Sequence, residues 1–172
     1  MKVLRFATPL GLVTIGLETG RVVQVALGAP LQGEEADPHD ARIRPLILAL
    51  SGYLGIGEPL GSAREAWQVL ARWPVVLRGV PPKYRQILSV LRRTVPFGTL
   101  ITYGELARRL GTHPRVVGQA MARNPVPLLV PCHRVVSARG IGGFGPGLAW
   151  KRWLWQREGI KRPPGGDPAA RG

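Results

Sequence analysis

Apolar residues at the start of the chain fall in short β-prone runs, residues 3–6, 12–15 and 22–26. The turn-favouring residues of 9–11 and Thr19-Gly20 separate them. This pattern predicts strands joined by tight turns. Residues 33–38 are polar and read as a loop. Residues 41–54 have helical spacing, with Pro45 tolerated in a first turn. Residues 55–61 read as loop, and 67–77 are mixed, with 74–77 a candidate strand. Gly79-Val80-Pro81-Pro82 marks a boundary, after which the period becomes helical. Ile87, Leu88, Val90 and Leu91 predict a helix over 84–94, and Pro96-Phe97-Gly98-Thr99 a turn. A second helix over 102–110 is closed by Gly111. A third, over 114–123, takes Thr112 as its cap and Pro114 in its first turn. Helix, glycine-containing turn, helix is the helix-turn-helix outline, which also occurs in proteins that bind nothing. The third helix carries Arg115 on its first turn and the small residues Gly118, Ala120 and Ala122. Such residues suit either a narrow groove or tight helix packing.

The three prolines of residues 124–136 (Pro125, Pro127, Pro131) predict an extended path. The run Gly-Ile-Gly-Gly-Phe-Gly-Pro-Gly over 140–147 lacks the Lys-Ser/Thr ending of a phosphate loop. Residues 148–158 read as a final amphipathic helix. The expected division is an αβ domain over 1–78, a second domain over 79–160, and a Pro/Gly-rich disordered tail over 161–172.

Charge sharpens this division. Residues 1–78 are nearly neutral, with eight Lys/Arg and seven Asp/Glu. Residues 79–160 hold thirteen Lys/Arg against only Glu105 and Glu158, a net +11 of the chain's +14. A field of that sign attracts a polyanion, although a generally arginine-rich surface would look the same. No apolar run reaches the roughly 18 residues of a membrane span, and no leader pattern opens the chain, so a cytoplasmic protein is expected, nucleoid-associated or nuclear according to cell type. With one cysteine, Cys132, and His39, His113 and His133 scattered, neither a disulfide nor a metal site is expected.

Cys132 is either a small buried hydrophobe or a reagent. A reagent needs a base or a positive environment, because the thiolate is the nucleophile. His133 is adjacent, but neighbouring side chains on an extended segment diverge. Contact therefore requires a bend or an intervening water. Glu158 could orient the base, or could be an ordinary charge at a helix end.

Pro131-Cys132-His133-Arg134-Val135 resembles the active-site motif of the O6-alkylguanine-DNA alkyltransferases, the methylated-DNA–protein-cysteine methyltransferases. The likeness extends in unbroken order over about residues 79–160. It takes in Val95-Pro96-Phe97-Gly98, Tyr103-Gly104-Glu105-Leu106-Ala107, Val117-Gly118-Gln119-Ala120-Met121, Asn124-Pro125-Val126-Pro127, Gly142-Gly143-Phe144, Gly147-Leu148, Lys151 and Glu158-Gly159. The resemblance implies an α/β (α+β) fold, with a small N-terminal αβ ribonuclease H-like domain and a C-terminal winged helix-turn-helix-like domain. It implies a monomer without cofactor or metal, acting on double-stranded DNA that carries O6-alkylguanine, and by extension O4-alkylthymine. Cys132 would accept the alkyl group once and irreversibly. His133 would be its base through water, Glu158 the carboxylate behind that base, Tyr103 the phenol on the flipped guanine, and Asn124 a hinge. Arg115 would fill the gap left by the flipped base. Tyr103, Val116, Gln119, Ala120, Arg123 and Arg134 would contact DNA, and Met121, Val135, Phe144, Gly145 and Pro146 would line the pocket. Phe144 stands where many relatives have Tyr, and Pro146 should stiffen the pocket wall. The other readings are a non-catalytic damage-binding protein, whose relatives lack the cysteine, and a Cys-His hydrolase, which would need an oxyanion hole.

Overall fold

The computed structural model describes residues 1–57 and 61–161; residues 162–172, expected as a disordered tail, and 58–60 of the expected loop lie outside them. The chain forms two compact units. The first comprises residues 1–78 with 125–129, the second residues 79–124 and the chain from 130 onward. The first unit thus includes a five-residue excursion from the later half of the chain.

In the first unit, β1 (Lys2–Thr8), β2 (Gly11–Glu18) and β3 (Arg21–Leu27) form an antiparallel meander. Thr19 and Gly20 both have positive φ, 49° and 79°, and join β2 to β3 by the two-residue turn whose twist matches the flanking strands. Residues 13–17 of β2 are all buried, as befits the strand between β1 and β3. The outer edge of β3 is closed by a bridge from Val22 to Val75 and by the Val25 amide donating to Pro125 O at 2.9 Å. Of the expected strand at 74–77 only that bridge forms. Within 33–38, read as loop, β4 (Glu34–Glu35) pairs in parallel with β1. The helix expected from 41 begins later, as α1 (Arg44–Leu54), because Asp40 O takes the Ile43 and Arg44 amides in a preceding turn. α2 (Ala63–Leu70) was not expected; Ser62 and Glu65 form its capping box, and Ala66, Trp67 and Leu70 face inward.

The second unit contains α3 (Pro82–Thr94), β5 (Ile101–Thr102), α4 (Tyr103–Leu110), α5 (Pro114–Ala122), a 3₁₀ turn (Cys132–Arg134), β6 (Val135–Val136) and α6 (Leu148–Arg157). Thr102 and Glu105 build a reciprocal capping box on α4, and Gly111 at φ 63° ends it. The cap of α5 is His113, not Thr112: the helix starts at Pro114, and His113 Nδ1 accepts the Arg115 amide at 3.1 Å. Ile87, Leu88 and Leu91 of α3, Leu106 and Ala107 of α4, and Val117 and Ala120 of α5 are buried. β5 and β6 pair in parallel, Ile101 with Val135 and Thr102 with Val136. That pairing brings the first residue of α4, Tyr103, alongside the segment that carries Cys132. Among the described residues no helix is long and apolar enough to cross a membrane.

Candidate active site

The expected extended path through 124–136 bends sharply before the cysteine. Pro131 has φ −79° and ψ 62°, and the Cys132 amide donates to Val130 O at 2.8 Å, an inverse γ-turn. The 3₁₀ turn follows directly, with the Arg134 amide donating to Pro131 O at 3.0 Å. Proline's fixed φ fits this turn as well as an extended path; the bend lies in ψ, held by the Cys132 amide on Val130 O. Its consequence is that Cys132 and His133 are both buried yet engage different partners.

Cys132 Sγ accepts a hydrogen bond from Asn124 Nδ2 at 3.2 Å, and the same amide donates to Val130 O at 3.0 Å. Asn124 therefore ties the segment leaving α5 to the turn that holds the thiol. Burial pushes the Cys132 thiol up to about 11, opposed by the Asn124 hydrogen bond, the Lys151 charge and nearby backbone amides. At neutral pH the group is a thiol and must lose its proton in order to react.

His133 Nε2 lies in short contact with Glu158 Oε2, both side chains fully enclosed. Burial lowers the His133 pKa, so its imidazole is neutral. A neutral ring that donates from Nε2 to a carboxylate carries its lone pair on Nδ1, and that nitrogen can take a proton. Trp155 Nε1 donates to His133 O at 2.7 Å and fixes the backbone beneath the ring. Glu158 gathers two more donors on Oε1: Arg134 Nε at 2.8 Å and the Gly98 amide at 2.9 Å. Burial alone would raise the Glu158 pKa. Hydrogen bonds from His133 and Arg134, with the Arg134 charge, together outweigh that and hold it well below the usual carboxylate range.

Arg134, expected at the DNA surface, is fully buried between Glu158 and Val95 O, to which its Nη1 donates at 2.9 Å. It is a structural cation, the counter-charge that lets Glu158 stay ionised. Ala120, expected to contact DNA, is also fully buried, one helical turn from Val117 on the inner side of α5. The outer side carries Arg115, Gln119 and Arg123, all exposed, with Val116 and Met121 half-buried. A side chain added at Gly118 would meet nothing within 4 Å, so tight packing is not what places glycine there.

Tyr103 is half-buried, and Gly142 packs against its ring: a Cβ there would stand 3.1 Å from Tyr103 Cε2 and 3.3 Å from its hydroxyl. Gly142 also sits at φ 73°, so both space and backbone require glycine. Burial raises the Tyr103 pKa. A hydrogen bond from the Gly143 backbone opposes this, and the Cys132 charge adds to it, so the hydroxyl keeps its proton. Of the expected pocket residues, Val135 is fully buried, Phe144 and Pro146 are half-buried, and Gly145 is exposed.

The residue that the motif reading left without a role is Lys151. It is fully buried, and its Nζ donates to Val135 O at 2.7 Å, Ile141 O at 2.6 Å and Gly143 O at 3.0 Å. It thereby pins the 140–147 loop to β6. Burial pulls it down to about 8, while the Cys132 charge works the other way. The signal was present: Lys151 shares one stripe of α6 with Trp150, Leu154 and Trp155, all buried. Among the described residues no three His, Cys, Asp or Glu side chains come together as a metal-holding group.

Fold and site define a helix-turn-helix protein with one buried cysteine beside a buried His–Glu–Arg array. Residues 82–160 match the model of the 6-O-methylguanine DNA methyltransferase DNA-binding domain. A methylated-DNA–protein-cysteine methyltransferase of Saccharolobus islandicus is 32% identical over 158 residues, covering 92% of this chain and 95% of that one. One of Methanopyrus kandleri is 54% identical over 80 residues, covering 46% of this chain and 60% of that one. The alignments to two Thermococcus relatives span about half of their length, 48% in each. The crystal structure of Mycobacterium tuberculosis OGT in complex with DNA superimposes with a TM-score of 0.71, at 25% identity and 92% coverage of both chains. The chain belongs to the methylated-DNA–protein-cysteine methyltransferase family.

Proposed function

We propose that this protein repairs double-stranded DNA by taking the alkyl group of O6-alkylguanine, methyl above all, onto Cys132, once per molecule, wherever the cell keeps its DNA. The observation that carries this reading is the buried arrangement of Cys132, Asn124, His133 and Glu158 on the unit that matches a methyltransferase DNA-binding domain. The O6 atom is inaccessible within a stacked pair, so the base must leave the helix, at a cost of about a few kcal/mol. The exposed face of α5, with Arg115, Gly118, Gln119 and Ala122, suits a narrow groove, and Arg115 can fill the space the base vacates. The +11 charge of residues 79–160 supports contact with phosphates irrespective of sequence.

In the proposed reaction the Cys132 proton passes through a water to His133 Nδ1, and Glu158 stabilises the resulting imidazolium. The sulfur then forms a bond to the alkyl carbon as the carbon–O6 bond breaks. Its electron pair returns to the purine ring, which takes a proton from Tyr103; the proton on His133 restores the phenol through solvent. The products are a thioether and guanine, the latter carrying one proton in place of the alkyl group. A thioether has no hydrolytic route back, so the protein is consumed. O4-alkylthymine offers the same leaving chemistry to the same thiol. Pro146, in a loop already held by Lys151, argues for small adducts over bulky ones.

The test is intact mass after incubation with a duplex containing O6-methylguanine. One methyl group on Cys132, stopping at one equivalent and absent from Cys132→Ala, is the expected outcome. Lesion binding without mass gain would make the protein a damage-binding one, and repeated turnover would make it a hydrolase. Tyr103→Phe is expected to slow transfer at saturating duplex by about a hundredfold, the scale of a lost general acid, with duplex affinity changed less than threefold. Parallel loss of both would remove the proton-donor role.

A further inference from the structure

We propose that Tyr84, at the start of α3, is a positioning residue that holds Arg123 and Gln119 of α5 as a preformed clamp for one phosphodiester group; this rests on the DNA-repair reading above. The Tyr84 hydroxyl donates to Gln119 Oε1 at 2.8 Å. The Arg123 guanidinium carbon stands 4.9 Å from the Tyr84 ring centroid, and Arg123 Nη1 donates to Gln119 O at 3.3 Å. Lys83 Nζ lies 5.9 Å from the same centroid.

With one lone pair of Oε1 taken by the Tyr84 hydroxyl, Gln119 keeps both amide hydrogens and a single lone pair to offer a partner. Arg123 and Lys83 can only donate. Neither acid among the described residues of this unit is at hand to neutralise them, since Glu105 serves the α4 capping box and Glu158 the His133–Arg134 array. A surface in which donors and positive charge predominate suits an anion with several acceptor oxygens, and a phosphodiester is that anion on duplex DNA. Stacking on the ring also restricts the arginine before binding, so less side-chain freedom is lost when the phosphate arrives. Tyr84 reaches no reacting atom. Its effect should fall on how tightly the duplex is held and leave the chemistry alone.

The test titrates an unmodified duplex across a range of salt concentrations and measures methyl transfer as a function of duplex concentration. It uses the full chain, Tyr84→Leu, Tyr84→Phe, Arg123→Ala and the double variant Tyr84→Leu/Arg123→Ala. Arg123→Ala is expected to weaken binding about tenfold and to lower the salt slope by about one. Tyr84→Leu should weaken binding about fivefold when Arg123 is present and less than twofold when it is absent. Tyr84→Phe, which keeps the ring, should recover much of the affinity. The transfer rate at saturating duplex should not change in Tyr84→Leu or Tyr84→Phe. Equal losses from Tyr84→Leu with and without Arg123, or a lower rate at saturation, would overturn the clamp. A wild-type protein that binds duplex but gains no methyl group overturns the repair reading and leaves the clamp to be judged by the titration. A wild-type protein that does not bind duplex overturns both.

Discussion

Glu158→Gln is expected to destabilise the protein by about 3–5 kcal/mol and to slow alkyl transfer by a hundredfold or more. The carboxylate is the meeting point of three donors: His133 Nε2, Arg134 Nε and the Gly98 amide. Replacing it with an amide leaves the fully buried Arg134 guanidinium without an anion, which is the expensive way to break a buried pair. The same change removes the group that would stabilise a protonated His133, so stability and chemistry fall together. Glu158 is held below the ordinary carboxylate range, so its contribution is complete above the unfolded value of about 4.3 and drains away as pH falls through the folded one. Neutral His133 acts with the same sign, since the unfolded ring takes up a proton first on acidification. Denaturant unfolding from pH 7 to pH 3 should therefore show wild type and Glu158→Gln converging as pH falls. A gap that stays constant would mean that the carboxylate does not carry the ion pair.

Lys151→Met should cost about 2–4 kcal/mol and slow transfer about tenfold at saturating duplex. Three carbonyls lose their common donor, and those of Val135 and Ile141 belong to buried residues, where an unsatisfied acceptor costs about 1–3 kcal/mol. Loss of the third contact, to Gly143, releases the residue whose backbone hydrogen-bonds Tyr103. The positive charge that favours the Cys132 thiolate goes as well. Hydrogen exchange separates these effects: amides in 140–147 should exchange faster in the variant. If they keep wild-type protection while transfer slows, the charge and not the loop is what Lys151 supplies.

The four helices of the second unit were legible from proline, glycine and apolar spacing, and the candidate site from a motif centred on Cys132, whereas the two-residue strands β5 and β6 and the turn over Cys132–Arg134 were not. What stayed hidden has physical causes. α2 spans only eight residues, and its best signal is the Ser62–Glu65 capping box, which a search for long periodic stretches passes over. Strand β4 is two exposed glutamates, whose pairing depends on β1 and not on their own preference. Arg134 and Ala120 were assigned to DNA because a motif names residues without naming the side they face. Ala120 falls one turn after buried Val117, and Arg134 falls where Glu158 can neutralise it, which no local pattern reveals. Lys151 went without a role because lysine is ordinarily a surface residue, although its neighbours on the stripe were aromatic and apolar.

Glu158 follows the last residue of α6, while the two side chains that depend on it lie 24 and 25 positions earlier. During synthesis, Arg134 and His133 leave the ribosome well before their carboxylate does. Until then a compact second unit would have to enclose a lone cation, which is more costly than leaving it hydrated. The nascent chain therefore has reason to keep this region open until α6 has emerged, and the Cys132 thiol acquires its surroundings only when nearly the whole of the described chain is in place.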